Sequence, residues 1–283
     1  SFRMHPIALL HRFLLPAALL LGVAQAHAGL VLHYKFDETS GATAADSSGN
    51  GNTGTLVGMT GNEWVTGKID GALSFNPSSF DDRVEVMGYK GIAGSNARTF
   101  SFWLKTSMSS GDPSVKNPLM TYGNYTVNGD MMYLYLSNTG KLVADFLGFS
   151  VESGSGGLNN GAWRHVAMTL PTGGTSDDVK LYVDGSLAAS GTGSNSINTG
   201  SSWDVTLAND TNFVFDGALD EVRFYNTALS VSEIGALASM SGDGGGAGAG
   251  APEPAETFAF LGLLVAAGLG YREWRFRRKA KAA

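Results

Sequence analysis

The chain has 283 residues and no cysteine, so neither a disulfide framework nor thiol chemistry is open to it. Secretion is not excluded by this, because a core of this size can hold together without covalent staples. Charge is sparse, with Asp, Glu, Lys and Arg at 16% of residues. Histidine is scarcer still at five residues, and His5, His11 and His27 fall in an N-terminal leader. That leaves His33 and His165, which with no cysteine beside them argue against a zinc site. His165 shares a strand face with Trp163, and a packed structural role suits it better than that of a base. Serine is plentiful but has no nucleophile elbow. No glycine-rich loop has the strand, lysine and helix of a phosphate cradle. Basic residues are few in the body: between Gly29 and Ser241 there are 21 Asp+Glu against 11 Lys+Arg, a net of −10. An acidic body without a basic patch argues against nucleic acid and is compatible with cations.

What is abundant is glycine, at 39 residues, together with short runs of β-branched and aromatic residues. Strands are expected at Leu30–Phe36, Thr55–Val57, Ala72–Phe75, Arg83–Val86, Thr99–Lys105, Met131–Ser137, Lys141–Phe146, Trp163–Leu170, Val179–Asp184 and Trp203–Leu207. Asn138-Thr139-Gly140 and Asp184-Gly185 read as hairpin loops. Ser107 to Asn128 reads as a long irregular segment, with Pro113, Pro118, Tyr122 and Tyr125. The last strand, Gly217 to Tyr225, organises the rest. Alternation puts Ala218, Asp220, Val222 and Phe224 on its core face, and Leu219, Glu221, Arg223 and Tyr225 on the other. Asp220 is then an acid in an apolar row, which needs a cation or several N–H donors. Ser230 and Glu233 form a capping box that starts the one expected helix. Many short strands with regular turns predict an all-β sandwich.

The ends read as addresses. Residues 1–28 carry Arg3 and Arg12, an apolar run from Phe13 to Val23, and the small exit Ala26-His27-Ala28. This is the pattern of a secretory signal peptide, to be removed by signal peptidase. Residues 242–251 are a Gly/Ala-rich linker. Residues 252–283 hold Pro252-Glu253-Pro254, an apolar stretch from Phe258 to Gly270 and a tail with Arg272, Arg275, Arg277, Arg278, Lys279 and Lys281. Both apolar stretches are expected to be helical, and the basic end would stay cytoplasmic. The three-part C-terminus closely resembles the PEP-CTERM sorting signal. That resemblance implies transient anchoring in the inner membrane of a Gram-negative bacterium, recognition of Pro252, Glu253 and Pro254 by an exosortase, and release to the cell surface or extracellular matrix.

The body, residues 29–241, resembles the LamG-like jelly-roll family of the concanavalin A-like lectin/glucanase fold. Four landmarks carry the resemblance: Tyr34-Lys35-Phe36-Asp37-Glu38 with Asp46-Ser47-Ser48-Gly49-Asn50-Gly51; Gly71-Ala72-Leu73-Ser74-Phe75; Trp163-Arg164-His165-Val166-Ala167 with Leu181-Tyr182-Val183-Asp184-Gly185; and Gly217 to Ser230. It implies an antiparallel jelly-roll β-sandwich with the first and last strands side by side. It implies carbohydrate or exopolysaccharide binding, for which Tyr133 and Tyr135, with Trp103 or Trp203, are the candidate platform. It also implies a structural Ca2+, held by Asp46, Asn52 and Asp220 with Asn50 as a substitute. The oxygen-rich turn from Asp46 to Thr55 suits calcium chemistry, and equally suits Asx-turns that cap their own backbone. Glucanases of the fold carry same-face acids as an E-x-D-x-x-E run, which is missing here. Asp81, Asp82 and Glu85, with Arg83 among them, are the nearest rival; Asp81 and Glu85 could share a face, but they flank a short strand edge and read as solvated charge. A non-enzymatic binding protein is therefore expected. A structural calcium-binding matrix or adhesion protein is the alternative, and a glycoside hydrolase or polysaccharide lyase the third reading.

Overall fold

A computed structural model describes residues 29–210 and 212–242. The leader, most of the linker and the Pro-Glu-Pro tail lie outside these residues. In chain order the described strands are β1 (Leu30–Tyr34), β2 (Thr43–Ala44), β3 (Gly54–Val57), β4 (Trp64–Thr66), β5 (Gly71–Phe75), β6 (Arg83–Val86), β7 (Arg98–Lys105) and β8 (Lys116–Gly123). They continue as β9 (Met131–Ser137), β10 (Leu142–Asp145), β11 (Ser150–Glu152), β12 (Trp163–Leu170), β13 (Lys180–Val183), β14 (Ser186–Ser190), β15 (Trp203–Leu207) and β16 (Gly217–Tyr225). One α-helix, α1 (Val231–Ala238), comes after β16. No helix among the described residues is long and apolar enough to cross a membrane.

Two antiparallel sheets stack face to face. The first runs β14-β13-β12-β7-β16-β5-β4, with β1 also paired to β16. The second runs β11-β10-β9-β8-β15-β6-β3-β2. The core between them takes alternate residues from each strand: Phe100, Phe102 and Leu104 from β7, Leu219, Val222 and Phe224 from β16, Met132, Leu134 and Leu136 from β9. Phe224 is central, edge-on to Phe100 at 4.6 Å and to Phe102 at 6.1 Å between ring centroids. The sandwich anticipated from the turn spacing, and the jelly roll that the resemblance implies, are thus present, with the first and last strands paired from Leu30–Tyr225 to Tyr34–Val222.

Strand β16 keeps β7 along one edge from Ala218 to Tyr225. Its other edge changes partner, pairing β5 at Gly217–Leu219 and β1 at Val222–Tyr225. The exchange falls at a β-bulge between Asp220 and Arg223, with Glu221 at φ 51°. A bulge inserts one residue and shifts the facing of the residues beyond it. This corrects the simple alternation. Leu219 faces the core, while Asp220 and Glu221, adjacent in sequence, both lie on the outer face, and Val222 returns to the core.

A second correction concerns Ser107 to Asn128. Its middle is β8, a nearly fully buried strand between β9 and β15. Proline inside a strand argues against a central position because it gives no ladder N–H. Here Pro118 sits at a register shift against β9, where the ladder is already interrupted. Asp184-Gly185 does turn a hairpin, between β13 and β14, with φ of 47° and 78° at the two residues. Such positive pairs match the twist of the flanking strands.

Helix α1 starts as expected. Ser230 Oγ accepts from Glu233 N at 3.3 Å, and Ser230 N donates to Glu233 Oε2 at 2.7 Å. Its Ile234 and Leu237, with Met240 beyond, pack on Ala167, Tyr182 and Tyr225 and so cover part of the first sheet's outer face. Truncation of Phe224 to Ala removes a ring from the tightest part of the core. It should cost about 3–5 kcal/mol in denaturant unfolding, and a loss under about 1 kcal/mol would contradict the packing described.

Candidate functional site

The outer face of the second sheet carries a groove of about 1160 Å³. Its floor comes from residues that alternate with the core-facing ones: Tyr133 of β9, Thr121 of β8, Asp204 and Thr206 of β15, Arg83 and Glu85 of β6, and Asp145 of β10. Three aromatics line it from its rim. Phe80 stands in the turn before β6, Tyr125 in the loop after β8 and Trp203 at the mouth of β15. They are 80%, 53% and 63% exposed. Large rings left in water on a concave surface usually mark a contact surface.

The named aromatics separate on this frame. Trp203 lines the groove. Tyr133 and Tyr135 share the outer face of β9 with centroids 4.7 Å apart, but they do not offer a bare platform. Tyr133 is 3% exposed, and its hydroxyl donates to Asp210 Oδ2 at 2.6 Å. The Lys116 ammonium lies 4.9 Å and 4.7 Å from the two ring centroids. Burial, and then the nearby acids Asp145 and Glu152, push the Tyr135 phenol up to about 12. These two rings brace the floor. Trp103 belongs elsewhere, which corrects its place in the candidate set. It lies in β7 of the first sheet, pointing away from the core, buried, with Lys68 Nζ 4.9 Å from its ring centroid. Outward residues of the two sheets lie on opposite sides of the sandwich, so Trp103 cannot join Tyr133.

Phe80 is an addition to the residues expected from sequence. Its signal was an isolated large ring in the polar turn Asn76-Pro77-Ser78-Ser79-Phe80-Asp81, where burial gives no reason for it. The two acids read as solvated charge, Asp81 and Glu85, both meet Arg83. Its Nε donates to Glu85 Oε1 at 2.8 Å, and its Nη1 lies 3.5 Å from Asp81 Oδ1. Lys90 Nζ pairs with Asp204 Oδ1 at 2.8 Å, and Lys116 Nζ with Asp145 Oδ2 at 3.8 Å.

The first sheet's outer face holds a buried polar row of a different kind. His33 Nε2 is 2.7 Å from Glu221 Oε2, which also pairs with Arg223. His165 Nε2 meets Ser101 Oγ at 2.9 Å. Burial, and next the Arg223 charge, lower the His165 pKa to about 3, so it stays neutral. Asp220 is 0% exposed. Its Oδ2 accepts from Lys68 N and Ile69 N, both at 2.8 Å, while Oδ1 finds no donor. Burial chiefly, with the charges of Glu221 and Asp37 adding to it, raises its pKa to about 8 against these two N–H bonds. Burial thus favours the protonated form of this carboxyl.

Of the four residues named for calcium, Asp46, Asn50 and Asn52 lie in the loop between β2 and β3, and Asp220 lies in β16. Asp46 Oδ1 accepts from His33 N at 3.0 Å and Ser48 N at 2.9 Å, and Oδ2 from Asn52 N at 2.9 Å. The amide groups of Asn50 and Asn52 donate to Leu30 O and Val31 O at 3.1 Å and 2.8 Å. That loop fastens itself to β1, while Asp220 is held by the loop of Lys68 and Ile69. As arranged, these side chains hydrogen-bond backbone N–H and C=O groups. Among the described residues no three His, Asp or Glu side chains gather as a metal set.

The family model of the concanavalin A-like lectin/glucanases superfamily, the Laminin_G_3 type, matches residues 78–235, more than half of the chain. The chain belongs to that family. Its fold is similar to domain 4 of AbnA, a GH43 extracellular arabinanase from Geobacillus stearothermophilus, solved in complex with arabinotriose. The identity is 24%, the TM-score 0.55, and the match covers 75% of this chain and 99% of that domain. It is also similar to the binding domain of Paraclostridial Mosquitocidal Protein 1, at 20% identity and TM-score 0.55, covering 74% of this chain and 52% of that one. A structure of botulinum neurotoxin type C, whose cell entry depends on two ganglioside molecules, matches at 14% identity and TM-score 0.51, covering 74% of this chain and 50% of that one. The chain thus spans about half the length of the two toxin structures. At these identities the likeness is one of fold. No curated protein matches the chain.

The unusual state of Asp220 has a pH signature. A carboxyl raised from 3.8 to about 8 keeps a proton that the unfolded chain has released. Its contribution to stability is full below about pH 4 and is lost as pH rises toward 8. Asp220→Asn keeps the acceptor oxygen for Lys68 N and Ile69 N and cannot ionise. Its melting temperature relative to the parent should climb steadily from pH 4 to pH 8. Parallel pH profiles for the two proteins would rule out a protonated Asp220.

Proposed function

We propose that the domain is a non-catalytic carbohydrate-binding module that takes a polysaccharide in the groove of the second sheet. The observation that carries the reading is the set of exposed rings, Phe80, Tyr125 and Trp203, beside hydrogen-bonding groups of Thr121, Glu85 and Asp204 in one concavity. Sugar rings present C–H faces to aromatics and hydroxyls to polar side chains, so both halves of the recognition are on hand. The arabinotriose bound to the arabinanase domain and the gangliosides of the neurotoxin support a sugar ligand. Binding rather than cleavage fits because Asp81 and Glu85 both lean on Arg83, and Asp210 on Tyr133.

Trp203→Ala removes the largest exposed ring without touching the core. It should weaken retention on a responsive polysaccharide in affinity electrophoresis by about tenfold or more, with the melting temperature unchanged. Unaltered retention would move the site away from this groove. The same gels run with a chelator address the second reading, a structural calcium protein. What favours that reading is the donor-free Oδ1 of Asp220, buried beside other acids. Sugar retention that persists under chelation, with an unshifted melting temperature, counts against calcium, since a bound ion would stabilise the fold by mass action.

The domain works outside the cell, on the surface or in the matrix of a Gram-negative bacterium. The apolar leader, and Pro252-Glu253-Pro254 with its apolar stretch and basic end, support export and exosortase sorting. Mass spectrometry of the surface-exposed protein should find Arg272–Ala283 gone, and an intact tail would defeat the sorting proposal.

A further inference from the structure

The groove's charges restrict what it can hold, and this inference rests on the carbohydrate reading above. Three cations line it, and each is already engaged by a carboxylate of the same groove. Arg83 lies between Asp81 and Glu85. Lys90 is bound to Asp204 and also donates to Ser202 O at 3.2 Å. Lys116 sits near Asp145 and against the faces of Tyr133 and Tyr135. Asp210 is the fifth carboxylate, its Oδ1 accepting from Asn212 N and Phe213 N at 2.9 Å and 2.8 Å. Five carboxylates against three cations leave the lining with a surplus of two negative charges. The body around it adds to the same sign, with 21 acidic and 11 basic residues between positions 29 and 241.

We infer that the groove selects uncharged polysaccharides and rejects chains bearing uronate or sulfate groups. A neutral sugar brings hydroxyls, which donate to carboxylates, and C–H faces, which meet Phe80, Tyr125 and Trp203. An anionic sugar brings acceptors only at its charged group. To be matched it would have to break an existing ion pair, and otherwise it would face unscreened like charge. Recognition of anionic glycans ordinarily relies on cations free to form charge-assisted bonds. Here the cations are spent on holding the carboxylates in place.

The test uses matched pairs and the full-length protein. Affinity electrophoresis at low ionic strength compares dextran with dextran sulfate, and galactan and arabinan with polygalacturonate. At low salt the repulsion between exposed charges is least screened. Retention by at least one neutral polymer, at least tenfold stronger than by any anionic polymer and little changed by added salt, is the expected result. Asp204→Asn, which releases Lys90, should then gain retention on the anionic polymers. Equal or stronger retention on the anionic members would overturn the charge inference while leaving a carbohydrate-binding groove standing. Failure of the whole panel, neutral and anionic alike, together with indifference to Trp203→Ala, would overturn the carbohydrate reading itself and this inference with it.

Discussion

The sandwich depends on one strand having two neighbours on the same edge. Strand β16 cannot pair with β5 and β1 at the same residues, so one must hand over to the other. The bulge at Asp220 and Glu221 is where this happens. An extra residue costs ladder hydrogen bonds and leaves polar side chains on one face. The chain meets that cost with buried partners. Glu221 takes His33 from β1 and Arg223 from its own strand, and Asp220 takes two backbone N–H groups from the 67–70 loop. The pairing of the first and last strands, the loop over the first sheet and the burial of Asp220 are consequences of a single local irregularity.

The division of labour between the two outer faces is set by what covers them. On the first sheet, α1 and the 67–70 loop cover the outward residues, so its polar groups are internal and structural. On the second sheet the outward face is a groove. Its ion pairs are partly open, and its rim aromatics are exposed. A buried polar row has no choice but to satisfy itself. An open one can keep ion pairs of modest worth that set the sign of the surface more than they add stability. That contrast is why the groove, and not the denser polar cluster, is the place to look for a ligand.

The fold was largely legible because it rests on local signals. Phe100, Phe102 and Leu104 alternate with Trp103, and Met132, Leu134 and Leu136 alternate with Tyr133 and Tyr135. Asp184-Gly185 demands a turn, and Ser230 with Glu233 demands a helix start. Less legible were the places where one residue breaks a period. Pro118 hid β8 because a proline in a central strand is tolerated only where the ladder is broken, and no local pattern announces that break. The doublet Asp220-Glu221 misled for the same reason, since strict alternation assigns adjacent residues to opposite faces.

The site divides along a similar line. Trp203 and the tyrosines of β9 stood out by residue type alone, but type does not say which of the two sheets a strand joins. That assignment put Trp103 on the far side of the molecule and brought Phe80 and Tyr125, distant in the chain, to one groove. The sequence by itself determined the class of fold, the strand and helix signals and the acidic balance of the body, because these depend on neighbours a few residues apart and on composition. Only the tertiary structure decided that the groove's cations pair with its carboxylates and that the carboxyl of Asp220 is buried beside other acids. Both depend on which oxygens and nitrogens meet across strands that the chain order does not place together.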